Sequence, residues 1–284
     1  DQISFNKYFQ LVAGGRIERY DDEGVSGGDI LQGDDTSFTG RIGAVIKPVD
    51  NFAIFGNFSN SYVRPSILAQ TANANGPFGP ELGRQFEGGV KAELIDRRLF
   101  ITASGYQINK TDVLRPDPNF GPNGNNFNAL LQVGEVRSRG FDLDITGAIT
   151  PRWNLTFNYA YIDSQILEDN NPNLIGMPLA NISPHTAGFF TRYDFTREIG
   201  VGFSGQFIDD RLEPFAGIEA PAYQVFDLSY YHTVKKRFRF DLKLENIADK
   251  EYAVSSLFAA RAGNFPGQPR TFTFGFTILS FKKD

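Results

Sequence analysis

The chain has no cysteine, one methionine, one tryptophan and two histidines among 284 residues. The missing cysteine excludes a disulfide scaffold, a thiolate metal site and thiol catalysis. It leaves the compartment open, because an oxidising periplasm permits disulfides without requiring them. No apolar run approaches the roughly 18–20 residues of a membrane-spanning helix. An excess of basic charge is missing too: 28 Lys and Arg stand against 33 Asp and Glu, a formal net charge of −5. A nucleic-acid binder carries a basic surface, so no nucleic-acid partner is expected. The opening segment, Asp1 to Phe9, has no basic stretch followed by an apolar one and does not read as a signal peptide. A mature chain or a fragment is expected.

What is present is 28 Phe, 11 Tyr and 29 Gly. These residues favour strands and tight turns over long helices. Alternation of apolar and polar residues, the strand period, runs through the chain. Phe238, Phe240, Leu242 and Leu244 share one face, and Arg237, Arg239, Asp241, Lys243 and Glu245 share the other. Trp153, Leu155, Phe157, Tyr159 and Tyr161 alternate with Asn154, Thr156, Asn158 and Ala160. Phe9, Leu11, Ala13, Gly15 and Ile17 alternate with Gln10, Val12, Gly14, Arg16 and Glu18.

About twelve strands are predicted, near residues 7–20, 36–48, 52–63, 83–96, 98–112, 130–149, 152–165, 184–195, 198–210, 222–234, 237–248 and 270–281. A break in phase at Leu279 and Phe281 predicts a bulge near the last strand's end. Short turns fall at Pro48 to Asp50, Asp96-Arg97, Thr150-Pro151, Thr196-Arg197 and Lys235-Lys236. Long loops fall near 21–35, 64–82, 113–129, 166–183, 211–221 and 249–269. Short turns on one side and long loops on the other are the pattern of an outer-membrane barrel. Aromatics gather beside the short turns (Phe52, Phe100, Trp153, Tyr193, Phe195, Tyr230 and Tyr231), where an interfacial girdle belongs. The expected fold is therefore all-β, an antiparallel up-and-down transmembrane β-barrel, with the apolar face toward lipid and the polar face toward the lumen. A bare edge of about ten residues in lipid would cost tens of kcal/mol in unpaired backbone groups. The sheet must close, on itself or with strands outside this chain.

Several segments carry a family resemblance. They are Glu87-Gly88-Gly89-Val90-Lys91, Ser138-Arg139-Gly140-Phe141-Asp142, Asn158-Tyr159-Ala160-Tyr161, Ser183-Pro184-His185, and Pro221-Ala222-Tyr223 before Phe226-Asp227. The late ones are strongest: Glu245 through Tyr252 (ENIADKEY), then Gly267-Gln268-Pro269-Arg270-Thr271-Phe272 leading into the last strand. In this order the chain resembles the carboxy-terminal part of TonB-dependent outer-membrane receptors of the ferric-siderophore branch, over nearly its whole length. The resemblance implies membership of a 22-stranded barrel whose amino-terminal plug and TonB-contacting segment are not in these 284 residues. It implies location in the bacterial outer membrane and capture of a ferric siderophore by the long loops. Passage would be gated by TonB acting through the missing plug region, with no enzymatic step. No cofactor is implied, and iron enters only as part of the bound siderophore. Outer-membrane lipid and lipopolysaccharide would surround the wall. Phe281, followed by Lys282, Lys283 and Asp284, resembles the terminal aromatic read by the barrel-assembly machinery.

Catecholate and hydroxamate ligands are planar or anionic, so aromatic faces and Arg donors suit them. The candidate ligand-binding residues are Tyr62, Arg64, Phe78, Arg115, Phe120, Phe127, Arg211, Phe215, Phe258 and Arg261. Other readings are a passive pore or a structural barrel remnant. An outer-membrane phospholipase would need a serine and a base in hydrogen-bond reach, for which Ser183 and His185 offer only proximity in sequence. His185 and His232 are isolated and form a poor metal site. The run Arg115 to Phe120 lacks the ligand order of a calcium loop. Asp21-Asp22-Glu23 and Asp34-Asp35 are expected to be solvated charge.

Overall fold

The computed structural model describes residues 1–26, 29–65, 78–116, 130–213, 217–256 and 264–279. Its strands are β1 Gln2–Ser4, β2 Phe9–Ser26, β3 Asp29–Val49, β4 Phe52–Val63, β5 Glu81–Leu94, β6 Leu99–Pro116 and β7 Leu130–Thr150. There follow β8 Trp153–Glu168, β9 His185–Asp194, β10 Ile199–Ile208, β11 Arg211–Glu213, β12 Ile218–Ala220 and β13 Tyr223–Val234. The last are β14 Phe238–Glu245, β15 Ala253–Ser256, β16 Asn264–Pro266 and β17 Thr271–Ile278. A 3-10 turn, Pro172–Leu174, is the one helical piece among the described residues.

Thirteen strands form one sheet in the order β1-β2-β3-β4-β5-β6-β7-β8-β9-β10-β13-β14-β17. Its twelve long members answer the twelve expected segments, and β4 has the expected bounds, Phe52–Val63. The loops are more ordered than composition suggested. Within the expected loop 21–35, residues 21–26 and 29–35 continue the β2–β3 ladder to the pair Ser26↔Asp29. The expected loops at 211–221 and 249–269 contain the two-stranded sheets β11–β12 and β15–β16. Ladder bonds join backbone groups, so Gly- and Asp-rich stretches extend a hairpin wherever facing backbones are already in register.

Tertiary contacts divide the chain into two compact units. One comprises Asp1–Gly89, Gly105–Gly140 and Asp163–Leu179; the other comprises Val90–Ser104, Phe141–Ile162 and Ala180–Asp284. In the second unit the register aligns whole apolar rows. Trp153 pairs with Tyr193, Tyr193 with Val201, Val201 with Tyr230, Tyr230 with Leu242 and Leu242 with Phe274. The next row on that face is Leu155, Thr191, Phe203, Leu228, Leu244 and Phe272. The intervening row, Asn154, Arg192, Gly202, Ser229, Lys243 and Thr273, faces the other way. The first unit repeats the rule: Ala13, Ile42 and Phe58 form one row, and Gly14, Arg41 and Ser59 the row on the opposite face.

The apolar rows are not covered by protein. Ile17 is 74% exposed, Phe38 62%, Phe272 67% and Phe274 59%. Among the described residues the buried apolar side chains are Phe78, Ile166, Leu174, Ala220 and Tyr223, all at the long-loop ends of the strands. A soluble antiparallel fold buries its apolar strand face. Here that face is left for an apolar solvent, and the tight packing lies in the loops. This arrangement is that of a membrane barrel wall.

Short turns lie where expected. At Lys235-Lys236 both central φ values are positive, 52° and 55°, and the Arg237 N–H donates to Val234 O at 3.0 Å. This I′-type geometry matches the twist of the flanking strands. The one register shift recorded in the β3–β4 pairing lies between Ile46 and Val49, beside Pro48, which has no N–H to give the ladder. The bulge expected at Leu279 and Phe281 is only half placed. Leu279 N–H still donates to Arg237 O at 2.7 Å, and Phe281 lies outside the described residues.

Candidate ligand-binding face

In the first unit, β4 ends at Val63, and Tyr62 and Arg64 reach side chains of β2. The Tyr62 hydroxyl donates to Glu18 Oε2 at 2.9 Å, and its ring meets Tyr20 edge-on with centroids 6.1 Å apart. Arg64 lies over the Tyr20 ring at 4.7 Å and pairs with Asp22 Oδ2 at 2.6 Å. Two predicted site residues are thus brought together, and both are braced. Asp22, expected as solvated charge, is exposed, and its carboxylate in addition holds Arg64. Alternation placed Asp22 in a loop and could not show that a residue 42 positions later would cross to it.

A second cluster in this unit surrounds Phe78 and Arg115. Phe78 is 8% exposed. Next to it, Gly79 N–H donates to Gln132 Oε1 at 2.9 Å, and Gln132 Nε2 returns bonds to Gly79 O and Asp112 O. Arg115 pairs with Asp169 at 2.5 Å, the Asp169 side chain being 1% exposed. Lower on the polar face, Arg137 donates to Gln165 at 2.8 Å and Arg139 to Asp163 at 2.7 Å. Glu81 bonds Leu114 N–H at 3.0 Å and pairs with Lys110. This wall is cross-linked by charge-assisted bonds, which order it more than neutral bonds would.

In the second unit Arg211 is 6% exposed. Its Nη2 donates to Ala253 O at 2.6 Å and its Nη1 to Val254 O, tying β11 to β15. The guanidinium also lies 5.4 Å from the Tyr223 ring centroid, and Tyr223 packs on Tyr252 at 4.3 Å. Asn246, 3% exposed with φ 49°, stands at the start of the final long loop. Its backbone N–H donates to Asp227 Oδ1 at 2.9 Å, its Nδ2 to Lys250 O and Gln268 O at 2.9 and 3.0 Å, and its Oδ1 accepts from Lys250 N–H at 2.8 Å. The segment singled out as ENIADKEY is therefore a loop anchor. Phe120, Phe127, Phe215, Phe258 and Arg261 lie outside the described residues.

The polar face of this unit also holds a network that aromatic counting misplaced. Tyr231 was grouped with the interfacial aromatics, but successive strand residues face opposite ways. Tyr230 joins the apolar row, while the Tyr231 hydroxyl donates to Asp194 Oδ1 at 2.7 Å and accepts from Arg192 Nη2 at 2.9 Å. Arg239, paired with Asp241 at 2.8 Å, lies 5.1 Å from the Tyr231 ring. The Ser183 hydroxyl donates to the backbone carbonyls of His185 and Asp209, and the His185 Nδ1 bonds the Tyr159 hydroxyl at 2.9 Å. The serine–imidazole bond that a phospholipase needs is not made. The described face offers aromatic surface, guanidinium groups and carbonyls, a chemistry of noncovalent recognition.

An exposed apolar strand face, a hydrogen-bonded polar face and loop ends packed with aromatics define a bacterial outer-membrane β-barrel protein. Residues 1–247 match the family described as TonB dependent receptor-like, beta-barrel, and the chain belongs to that family. It is 29% identical over 297 residues to the metal-pseudopaline receptor CntO of Pseudomonas aeruginosa, covering 98% of this chain and 40% of that protein. It is 24% identical over 310 residues to the catecholate siderophore receptor Fiu of Escherichia coli K12, covering 96% of this chain and 40% of that protein. Among solved structures it superimposes on the siderophore receptor PiuA of Acinetobacter baumannii with a TM-score of 0.83 at 22% identity, over 96% of this chain and 41% of that one. The ferripyoverdine receptor of Pseudomonas aeruginosa, bound to ferripyoverdine, gives 0.81 at 18% identity, over 97% of this chain and 37% of that one. The chain spans about 40% of the length of these curated relatives, and the likeness to the solved structures establishes the fold alone.

Proposed function

We propose that this chain is the carboxy-terminal barrel portion of an outer-membrane receptor that takes up ferric siderophores and draws its energy from TonB. The observation that carries this reading is the family match over residues 1–247, joined to guanidinium and aromatic side chains at the long-loop ends of the strands. The iron chelate is cargo; the protein binds it and lets it pass without making or breaking a bond. Arg64 against Tyr20, with Tyr62 beside it, offers a preset aromatic and cationic surface for a planar or anionic chelate. Phe78 and Arg115 contribute by ordering the loop ends of that unit, and Arg211 orders the loop ends of the other. Sequence outside this chain would supply the remaining strands, the plug and the segment that contacts TonB. Phe281 would serve the barrel-assembly machinery, and the apolar rows would meet lipid and lipopolysaccharide.

The test is uptake of radioactive iron, supplied as individual ferric siderophores, by iron-starved cells that carry or lack the full-length gene. Gene-dependent and TonB-dependent uptake of at least one chelate is expected. Equal uptake in both strains for every chelate, with the protein present in the outer membrane, would refute the receptor reading and leave a passive pore or a remnant.

A further inference from the structure

The apolar outer face of β8, β9 and β10 carries a cleft of about 350 Å³, lined by Trp153, Thr191, Tyr193, Val201 and Phe203. Its shape follows from the register. Trp153, Tyr193 and Val201 stand in one row, Thr191 and Phe203 in the next. Thr191 and Val201 are the small members, so three rings stand around a hollow. The polar pair in it is already spent: Trp153 Nε1 donates to Thr191 Oγ1 at 2.8 Å, and that hydroxyl donates to Asn154 O at 3.2 Å. The contact surface left is an apolar slot open to the outside. In the sheet β8, β9 and β10 each have strands of this chain on both sides. Strands from outside the chain therefore join elsewhere, and a plug would fill the lumen on the opposite face.

The cleft lies at the short-turn ends of these strands, the periplasmic side of an outer-membrane barrel. Trp153 opens β8 directly after Arg152. Arg152 Nη1 donates to Phe195 O at 3.3 Å, and the Phe195 ring packs edge-on against Tyr193 with centroids 5.2 Å apart. The guanidinium is thereby held at the rim of the cleft. Three short turns end strands on this side, at residues 150–152, 195–198 and 235–237. They carry Arg152, Arg197, Lys235, Lys236 and Arg237 against one carboxylate, Glu198. The opposite ends of β10 and β13 reverse the balance: residues 209–220 carry Asp209, Asp210, Glu213 and Glu219 against Arg211. In a chain of net charge −5, basic side chains are thus gathered beside an apolar slot. That pairing matches a molecule with an anionic head and an acyl chain.

We propose that this cleft is a binding site for an anionic phospholipid of the periplasmic leaflet, with an acyl chain in the slot and the phosphate group against Arg152 and Arg197. Interfacial aromatics alone set the depth of a wall in the bilayer. A seated anionic lipid adds a charged anchor at the same level. The site is independent of the cargo, so its failure would leave the receptor reading untouched.

The test uses the full-length receptor in vesicles of phosphatidylethanolamine and phosphatidylglycerol, prepared in two versions of equal composition. In one the phosphatidylglycerol carries bromine on its acyl chains; in the other the phosphatidylethanolamine does. Bromine quenches a tryptophan it touches, and the difference between the parent and Trp153→Phe isolates the signal of Trp153. Phosphatidylglycerol should be favoured at Trp153 about fivefold at low salt, the effect of one basic side chain at an anionic surface, and less at high salt. With Arg152→Gln and Arg197→Gln together the preference should vanish while quenching persists. Arg197→Gln alone should remove part of it. Val201→Phe, which fills the slot with another apolar group, should protect Trp153 from both brominated lipids. Heat-modifiable gel mobility confirms that each variant is folded. Equal quenching of the parent by the two lipids would overturn the site. So would an undiminished preference in the double variant, or a Val201→Phe protein quenched as strongly as the parent.

Discussion

Tyr231 lies across Gly200 and donates its hydroxyl to Asp194 Oδ1, 2.7 Å away, so that one aromatic side chain spans a strand that has no side chain at that point. The register pairs Gly200 with both Tyr231 and Asp194. A Cβ at position 200 would sit 2.5 Å from the Asp194 carboxylate and closer still to the Tyr231 ring. Glycine is needed there for space, since the surrounding strand is regular. Gly200→Ala should therefore destabilise the wall by about 1–3 kcal/mol, as overpacking does. Tyr231→Phe, which keeps the ring and loses the bonds, should cost about 1 kcal/mol. Urea unfolding of the detergent-folded receptor, followed by the change in gel mobility between folded and unfolded forms, measures both.

Sidedness gives a sharper test. Phe203 belongs to an apolar row and packs against Phe189 and Phe226 with centroids 5.4 and 5.8 Å away. Gln206 lies on the same strand with the opposite parity. Phe203→Arg should cost about 2–4 kcal/mol if that row meets the bilayer centre. Gln206→Arg should stay within about 0.5 kcal/mol. Equal costs at the two positions would contradict the assignment of faces.

Asn246 holds three segments at once, through Asp227, Lys250 and Gln268, from a buried position with positive φ. Asn246→Ala should lose about 3 kcal/mol, because buried partners are left unsatisfied and alanine dislikes that backbone. Asn246→Gly relieves only the backbone conflict and should recover about 1 kcal/mol. The same urea transition reports both values.

Arg211 is expected to order β15. Removing it by Arg211→Ala frees the carbonyls of Ala253 and Val254. Amide exchange, followed by mass spectrometry, should then speed up by about tenfold or more in residues 252–256 and 264–267, consistent with the loss of about 1.5–3 kcal/mol from a charged hydrogen bond. Exchange in β13 and β14 should not change. Arg211→Lys, with one compact ammonium in place of a fork, should restore only part of the protection.

Composition and alternation by themselves determined the fold class, the twelve long strands, the short turns and which side chains share a face. These are local properties: a period of two writes the face of every residue into its position, and turn chemistry marks where the chain reverses. The late motifs of the sequence also pointed to the right family. Only the tertiary structure decided what the polar residues do. Glu18 and Tyr62 are 44 positions apart, Arg115 and Asp169 are 54, and Arg211 reaches carbonyls more than 40 residues on. Side-chain partners of that kind depend on register between strands and on where a ladder stops, as β3–β4 does at Arg41↔Ser59. Neither is encoded in the spacing along one strand. For the same reason Tyr231, which read as girdle, proved to be a member of a wall network, and Asp22, exposed as expected, proved also to brace a loop.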